Sequence, residues 1–320
     1  MERAELLRAG PALDAFLEGF RACALAPTRR LIAAYLRGQL GPLPRKSVLP
    51  MALEAGIPPR TLQELLSLHR WDEEGFLDLL QRRVAARAKG APRIAFLVDL
   101  LIPKKGTKTP GVDRQRDAAG RSVNGVRLVQ LGTAEDAFVC ALEADLYLPA
   151  GWAGDLERRR EASIPDGLRY RHAWEIGLDL LDRARRNGAA PDWVLFPTSF
   201  AEAPGFLAGL AERKLGYVTE QARGGGKGLR EARTVAVAPG LTLTASPSEL
   251  PPSALADLWR SRERLARRLD DLKGEVGHDH FEVRSWRSLR RHLILSSASV
   301  LFLSESRERE AQSAPLRVAH

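Results

Sequence analysis

Residues 193–219 read WVLFPTSFAEAPGFLAGLAERKLGYVT. Trp193–Phe196 is a short apolar run of the length expected for a buried strand. Ala203–Arg213 reads as a helix, and Leu215–Thr219 as a second strand. Strand, helix and strand in close succession are the signature of an α/β protein.

Upstream of this unit, Ile94–Val98 predicts a buried strand, followed by the loop Ile102-Pro103-Lys104-Lys105-Gly106. Val112, Val126, Leu128 and the run Ala137–Leu148 predict further strands, read as antiparallel neighbours, and Ala173–Arg185 predicts a helix. Downstream, Thr234–Val237 predicts an inserted strand. Pro251 and Pro252 open a long helix with Leu258, Leu265, Leu269 and Leu272 near a 3.6-residue period, stopped by Gly274 and Gly277. A last helix is expected from about Arg287 to Leu303. The strand meander followed by alternating helices and strands predicts a mixed sheet with flanking helices.

Residues before Ala91-Pro92 read differently. Leu6, Leu13, Phe16 and Phe20 begin one amphipathic pattern, and Leu31, Tyr35 and Leu36 form another. Prolines 42, 44, 50, 58 and 59 punctuate the connections, and Thr61 is a candidate cap. Asp72, Glu73 and Glu74 suit a helix N-terminus, where the dipole favours negative charge. The expected organisation is a small all-helical domain over 1–90, with a candidate DNA-binding role, an α/β domain over 91–305 and a tail over 306–320.

A net charge of +9 favours a polyanionic partner. By charge alone the cation-rich segment 257–293 reads first as a solvated face with local ion pairs, and next as a surface for a DNA backbone. Two cysteines provide neither a disulfide framework nor metal-site spacing, and a reducing cytoplasm is the simplest compartment. The charged start MERAELLRAG lacks a signal-type apolar core, and no run reaches membrane-spanning length.

Several motifs fail on their own terms. RGGGKG, residues 223–228, has Gly228 where a nucleotide-binding loop needs Ser or Thr; it reads as a basic loop whose Lys227 touches DNA phosphates or nothing. His278, Asp279, His280 and Glu282 lack the distant partner pair of a zinc site and read as a hydrogen-bonded turn. No GxSxG elbow surrounds any serine. Lys104 and Lys105 lie where α/β folds place their chemistry, after a buried strand; an ordinary charged loop accounts for them equally.

The blocks YLRGQLGPLPRKSVLPMA (35–52), WDEEGF (71–76), IPKKGTKTPGVDRQ (102–115), ALEADLYLPAGW (141–152), DWVLFP (192–197), LGYVTE (215–220) and KGEVGHDHFEVRSW (273–286) occur in one order. Together they resemble insertion-sequence DDE transposases of the insertion-sequence-701 group, over about residues 12–304. The resemblance implies a ribonuclease H-like catalytic domain behind a helical one, DNA as partner, a homodimer that pairs two DNA ends, and three carboxylates holding two Mg²⁺ ions.

Carried onto this chain, the acids largely fail. In the family's Asp-Asp-Thr-Gly, Val98 takes the first Asp, Asp99 the second, and Leu100 and Leu101 the rest. Asp99, next to the position of the Thr, is the candidate survivor. Pro197 stands at the second acid. In the helix pattern Tyr-x2-Arg-x3-Glu-x6-Lys, Trp259, Arg262, Ala266 and Lys273 align, so the glutamate is an alanine. Glu263 and Glu275 are the candidate substitutes. The expected DNA contacts are Lys104, Lys105, Lys227, Arg262, Lys273, Arg284, Arg290 and Arg291. The leading expectation is a cytoplasmic, DNA-bound pseudoenzyme without cofactor. The alternatives are a Mg²⁺-dependent transposase using Asp99 with the shifted acids, and a scaffold that binds no DNA.

Overall fold

A computed structural model describes residues 3–87, 92–117, 119–135, 138–220, 233–238, 241–246 and 250–313. Strands β1 (Ile94–Pro103), β2 (Asp113–Arg116), β3 (Ser122–Glu135), β4 (Phe138–Leu146), β5 (Trp193–Leu195), β6 (Gly216–Glu220), β7 (Arg233–Ala238) and β8 (Leu241–Ser246) form one sheet. Its order is β2-β3-β1-β5-β6-β8-β7, with β4 also paired to β3. β1, β3 and β4 are an antiparallel meander, β5 runs parallel to β1 and β6 parallel to β5. This is the ribonuclease H-like mixed sheet. β8 was not expected; its alternation LTLTAS is short, and only pairing with β6 and β7 completes it.

The helical layer comprises α1 (Arg3–Glu18), α2 (Ala26–Leu40), α3 (Val48–Glu54), α4 (Pro59–Ser67) and α5 (Glu73–Ala85). Asp72 caps α5 by accepting from the Gly75 backbone at 2.9 Å. α4 starts at Pro59, which leaves Thr61 inside the helix rather than at its cap. α6 (Ala150–Gly154) and α7 (Leu156–Glu161) follow β4. α8 (Ala173–Arg186), α9 (Thr198–Ala201), α10 (Pro204–Glu212), α11 (Pro252–Val276) and α12 (Trp286–Ser313) complete the chain.

The register decides which side chains can meet. β1 pairs with β3 without a break from Ile94↔Ala134 to Pro103↔Gly125, so its side chains alternate strictly between faces. Phe96 lies across from Gly132, where a Cβ would sit 2.4 Å from the Phe96 ring and 3.0 Å from Leu269 of α11. On the other face, a Cβ on Gly177 of α8 would sit 3.0 Å from Leu97. Phe96, Val98 and Leu100 therefore face α11, and Leu97, Asp99 and Leu101 face α8.

α11 runs through Gly274 and ends at Gly277, whose φ of 66° is the left-handed conformation that glycine adopts without a Cβ penalty. The helix therefore stops at one of the two expected glycines. α12 continues to Ser313, ten residues past the expected Leu303 and beyond the expected start of a tail at 306. Every residue from Arg291 to Glu305 is buried. Such a helix must be covered all round, and here the helical layer covers one side: Phe302 meets Phe16 at 5.5 Å, and Ser304 Oγ donates to the Val139 carbonyl of β4 at 2.6 Å. One apolar cluster accordingly runs from Leu13 through Phe96 to Leu301. The expected boundary at 90–91 falls outside the described residues.

The serines of α12 meet polar partners from α2. Gln39 donates to Ser296 Oγ and accepts from Ser299 Oγ, both at 2.8 Å. His292 Nε2 lies 2.9 Å from the His278 carbonyl, which only accepts, so Nε2 carries the proton and Nδ1 accepts from Tyr35 Oη at 2.8 Å. Burial pushes the His292 pKa down to about 4, which keeps it neutral. Tyr35→Phe leaves that buried nitrogen unpaired. The expected loss is about 1–2 kcal/mol of unfolding free energy, read from the urea midpoint; an unchanged midpoint would remove the bond from the account of how the layer docks. Among the described residues, no helix is long and apolar enough to cross a membrane.

Candidate functional site

The three positions of the expected acids fall on β1, just after β5 and on α11. In the β1–β5 ladder Phe96 lies beside Leu195, where β5 ends; Val98 is two residues further along β1, and Pro197, two residues after β5, precedes α9. Val98 faces α11, as argued above. On α11, Arg262, Ala266 and Lys273 follow one another at one and two turns, on one side of the helix. A metal site of the kind the resemblance implies would form between these elements. Magnesium requires oxygen ligands, and the side chains of Val98, Pro197 and Ala266 carry none. Across from Val98 stands Gln130, fully buried, with neither amide atom hydrogen-bonded among the described residues. A neutral amide beside a valine does not replace an acidic set, so the residues present do not fit the metal.

Asp99 is not the survivor expected from the sequence. Strand alternation turns it to the α8 face, where Oδ2 accepts from Arg127 at 2.6 Å. Burial raises the Asp99 pKa, with Arg127 opposing. Arg127 also donates to Gln115 Oε1 at 2.9 Å and to the Arg116 carbonyl at 2.7 Å. The acid thus anchors an arginine that ties β2 to β3. Sequence reading could have found this signal: residues 98 and 99 cannot share a face of a continuous strand.

The substitute acids are engaged elsewhere. The Glu263 side chain is 67% exposed and lies 3.5 Å from Arg267, one turn along the same helix. Glu275 binds Arg307 of α12 at 2.6 and 2.7 Å. The structure does not bring either of them together with Asp99. Among the described residues, no three His, Cys, Asp or Glu side chains are grouped so as to hold a metal ion. The turn at 278–282 is held by other bonds: His280 Nδ1 accepts from the Lys46 backbone at 3.0 Å, and Glu282 pairs with Arg45.

The expected DNA contacts divide. Arg290 grips Glu74 with two bonds of 2.6 and 2.8 Å, and Arg291, 2% exposed, donates to Glu73 at 2.9 Å and to the Leu65 carbonyl at 3.2 Å. Both clamp α12 to the start of α5 and are not free to bind phosphate. Their partners, Glu73 and Glu74, are the acids that the sequence assigned only to a helix dipole. Lys273 is 5% exposed, with Nζ 2.6 Å from Asp270 in an ionic contact not aligned as a hydrogen bond. Lys104 donates to the Asp279 and Phe281 carbonyls at 3.0 and 2.9 Å and lies 3.5 Å over the Phe281 ring, with burial drawing its pKa down to about 8. It pins the 279–281 turn to the end of β1. Arg262 is half-buried over Trp259 at 3.9 Å. Lys105 and Arg284 are exposed. Lys227 lies outside the described residues.

Sequence reading missed the cleft next to these last residues. It measures about 500 Å³ and is lined by Thr107, Lys108, Trp152, Arg158, Glu161, Ala162 and Arg284. Arg284 also lines a second cleft of about 430 Å³ that reaches Tyr35 and Gln63 of the helical layer.

Residues 16–225 match a family model described as DDE superfamily endonuclease. α11, with Ala266, lies beyond the matched segment. No curated protein matches the chain.

Proposed function

This chain belongs to the DDE superfamily of endonucleases, and on that premise we propose that it is a transposase-derived DNA-binding protein of the insertion-sequence-701 type that no longer cleaves DNA through the family's metal site. What supports this reading is the identity of the residues aligned with the family's three acids: the side chains of Val98, Pro197 and Ala266 carry no oxygen, where two magnesium ions would need several. Asp99, turned to the opposite face and bound to Arg127, supports the same conclusion. Loss of acids also removes repulsion from phosphate, so cations around the vacated positions favour DNA more strongly than they would beside a carboxylate triad.

DNA binding itself is supported by the family and by the net charge of +9. The physical expectation is an affinity governed by counterion release, with log K falling linearly in log salt. The test is binding to DNA fragments from the protein's own genomic neighbourhood, with and without Mg²⁺, followed by a denaturing gel for nicks. Salt-sensitive binding that Mg²⁺ does not alter, with intact strands, is the expected result. Mg²⁺-dependent nicks would overturn the loss of cleavage. No binding at about 50 mM salt, the low end of the range in which such contacts are strongest, would leave a scaffold instead.

A further inference from the structure

A second charged surface lies past the end of β1. The β1–β3 ladder ends at Pro103↔Gly125, while β2 pairs with β3 from Asp113↔Gly125 to Arg116↔Ser122. Residues 113–116 and 122–125 are therefore a two-stranded ribbon running on from the sheet. Alternation places Arg114 and Arg116, with their partners Asn124 and Ser122, on one face of it. The rows Leu100↔Leu128 and Ile102↔Val126 continue into Asn124 and Ser122, so this is the face that α11 covers further back. The opposite face holds Gln115, occupied by Arg127.

Arg114 and Arg116 are exposed, and neither has an ion pair with a described residue. Arg116 donates to the Gly120 carbonyl at 2.8 Å, a contact that orients the guanidinium without neutralising it. The 500 Å³ cleft adjoins the ribbon: Arg158 and the Trp152 indole both donate to the carbonyl of Val112, the residue before β2, at 3.0 and 2.8 Å. Arg158 lies 3.9 Å over the Trp152 ring and bonds only carbonyls, and Arg284 is exposed at the other wall. Of the cations in the cleft, Lys108 is held by Glu161 at 3.1 Å. Ribbon and cleft together present four arginines without a described carboxylate partner on one continuous side of the sheet.

We propose that the β2–β3 ribbon and the cleft beside it are the surface on which double-stranded DNA binds, with Arg114, Arg116, Arg158 and Arg284 holding phosphates. This rests on the DNA-binding reading above and assigns its location, which Arg290, held by Glu74, and the buried Arg291 and Lys273 cannot supply. Guanidinium forks match phosphate oxygens bidentately. A two-stranded ribbon fits the major groove of B-form DNA, whereas the narrow, deep major groove of duplex RNA excludes side chains.

The test is fluorescence anisotropy with the full chain and a labelled DNA duplex of about 30 base pairs, across about 50–200 mM salt. Arg114→Glu/Arg116→Glu is compared with Arg82→Glu/Arg186→Glu, an equal change of net charge at exposed sites of α5 and α8. The ribbon variant is expected to weaken binding about tenfold or more and to reduce the salt slope by about 2. The control is expected to shift far less and to keep the slope. Equal effects of the two variants would overturn the location while leaving DNA binding intact. No binding by the unsubstituted protein would overturn both. Equal affinity for an RNA duplex, lost in the same variant, would overturn the assignment to DNA. If circular dichroism shows the ribbon variant misfolded, Arg158→Gln/Arg284→Gln reads the same surface from the cleft side, and unchanged affinity and slope in it overturn the location.

Discussion

Arg291→Ala is expected to lower the unfolding free energy by about 3 kcal/mol, the lower end for breaking a buried ion pair from one side. The reason is where its partners lie. The guanidinium is 2% exposed, donates to Glu73 and to the Leu65 carbonyl, and lies 5.0 Å from the Trp71 ring centroid. Removing it leaves Glu73, at the junction of α4, α5 and α12, with Arg287 at 4.0 Å, and the Leu65 carbonyl with the longer Trp71 indole bond at 3.4 Å. An apolar replacement of both partners, Arg291→Met with Glu73→Leu, is expected to recover more than half of the loss, because it removes the desolvated charges together. Denaturant midpoints of the parent, Arg291→Ala and the double variant give the answer. The DNA affinity of the folded fraction should stay within about threefold, since the charge never reaches solvent to release a counterion. A large affinity loss with an unchanged midpoint would return Arg291 to the DNA-binding surface and discredit the clamp.

The second large effect concerns the three positions aligned with the family's acids. Val98→Asp/Pro197→Asp/Ala266→Glu is expected to be several kcal/mol less stable than the parent without divalent ions, because carboxylates brought together in a partly buried site repel and lose hydration. Mg²⁺ should reverse much of this loss. A ligand at about 100 times its Kd stabilises by about 2.7 kcal/mol, which a thermal-shift titration resolves easily. The parent should show no such response, since Val98, Pro197 and Ala266 have no ligating oxygen. If the triple variant folds and Mg²⁺ leaves its melting temperature where it was, the three positions do not form one metal site. Should the triple variant not fold, Val98→Asp/Ala266→Glu carries the same comparison, with a smaller metal-linked shift expected from two carboxylates. The same titration on Asp99→Asn separates the two readings of the first strand: the substitution should weaken the hold on Arg127 and leave the metal response of the redesigned site unchanged.

The candidate positions could be named in advance because the blocks that carry them are local. Val98, Pro197 and Ala266 were read by counting from short blocks, and the β1–β5 ladder ends two residues before Val98 and Pro197. The error at Asp99 was also local: its neighbour in sequence points to the opposite face, and the period of two in a strand suffices to say so. The error at Arg290 and Arg291 was of another kind. Nothing in the order of residues pairs them with Glu73 and Glu74, more than two hundred positions away. Charge composition counts them as available cations, and only packing shows that they are spent within the protein. The β2–β3 ribbon escaped notice for a related reason, since Arg114 and Arg116 gain a shared face only once Asp113–Arg116 is paired with Ser122–Gly125.

By itself the sequence determined the elements and the class of fold, because apolar periodicity, glycine and proline act over a few residues. It also supplied the resemblance that sets Val98, Pro197 and Ala266 at the expected acids, because identity at a position needs no neighbour to be read. The tertiary structure alone decided which charges remain free. An arginine has the same formal charge in solvent or against a glutamate, and its availability depends on burial and partner, both set by which distant segments pack together. That physical difference moves the proposed DNA-facing surface from the basic end of the long helices to the ribbon beyond β1.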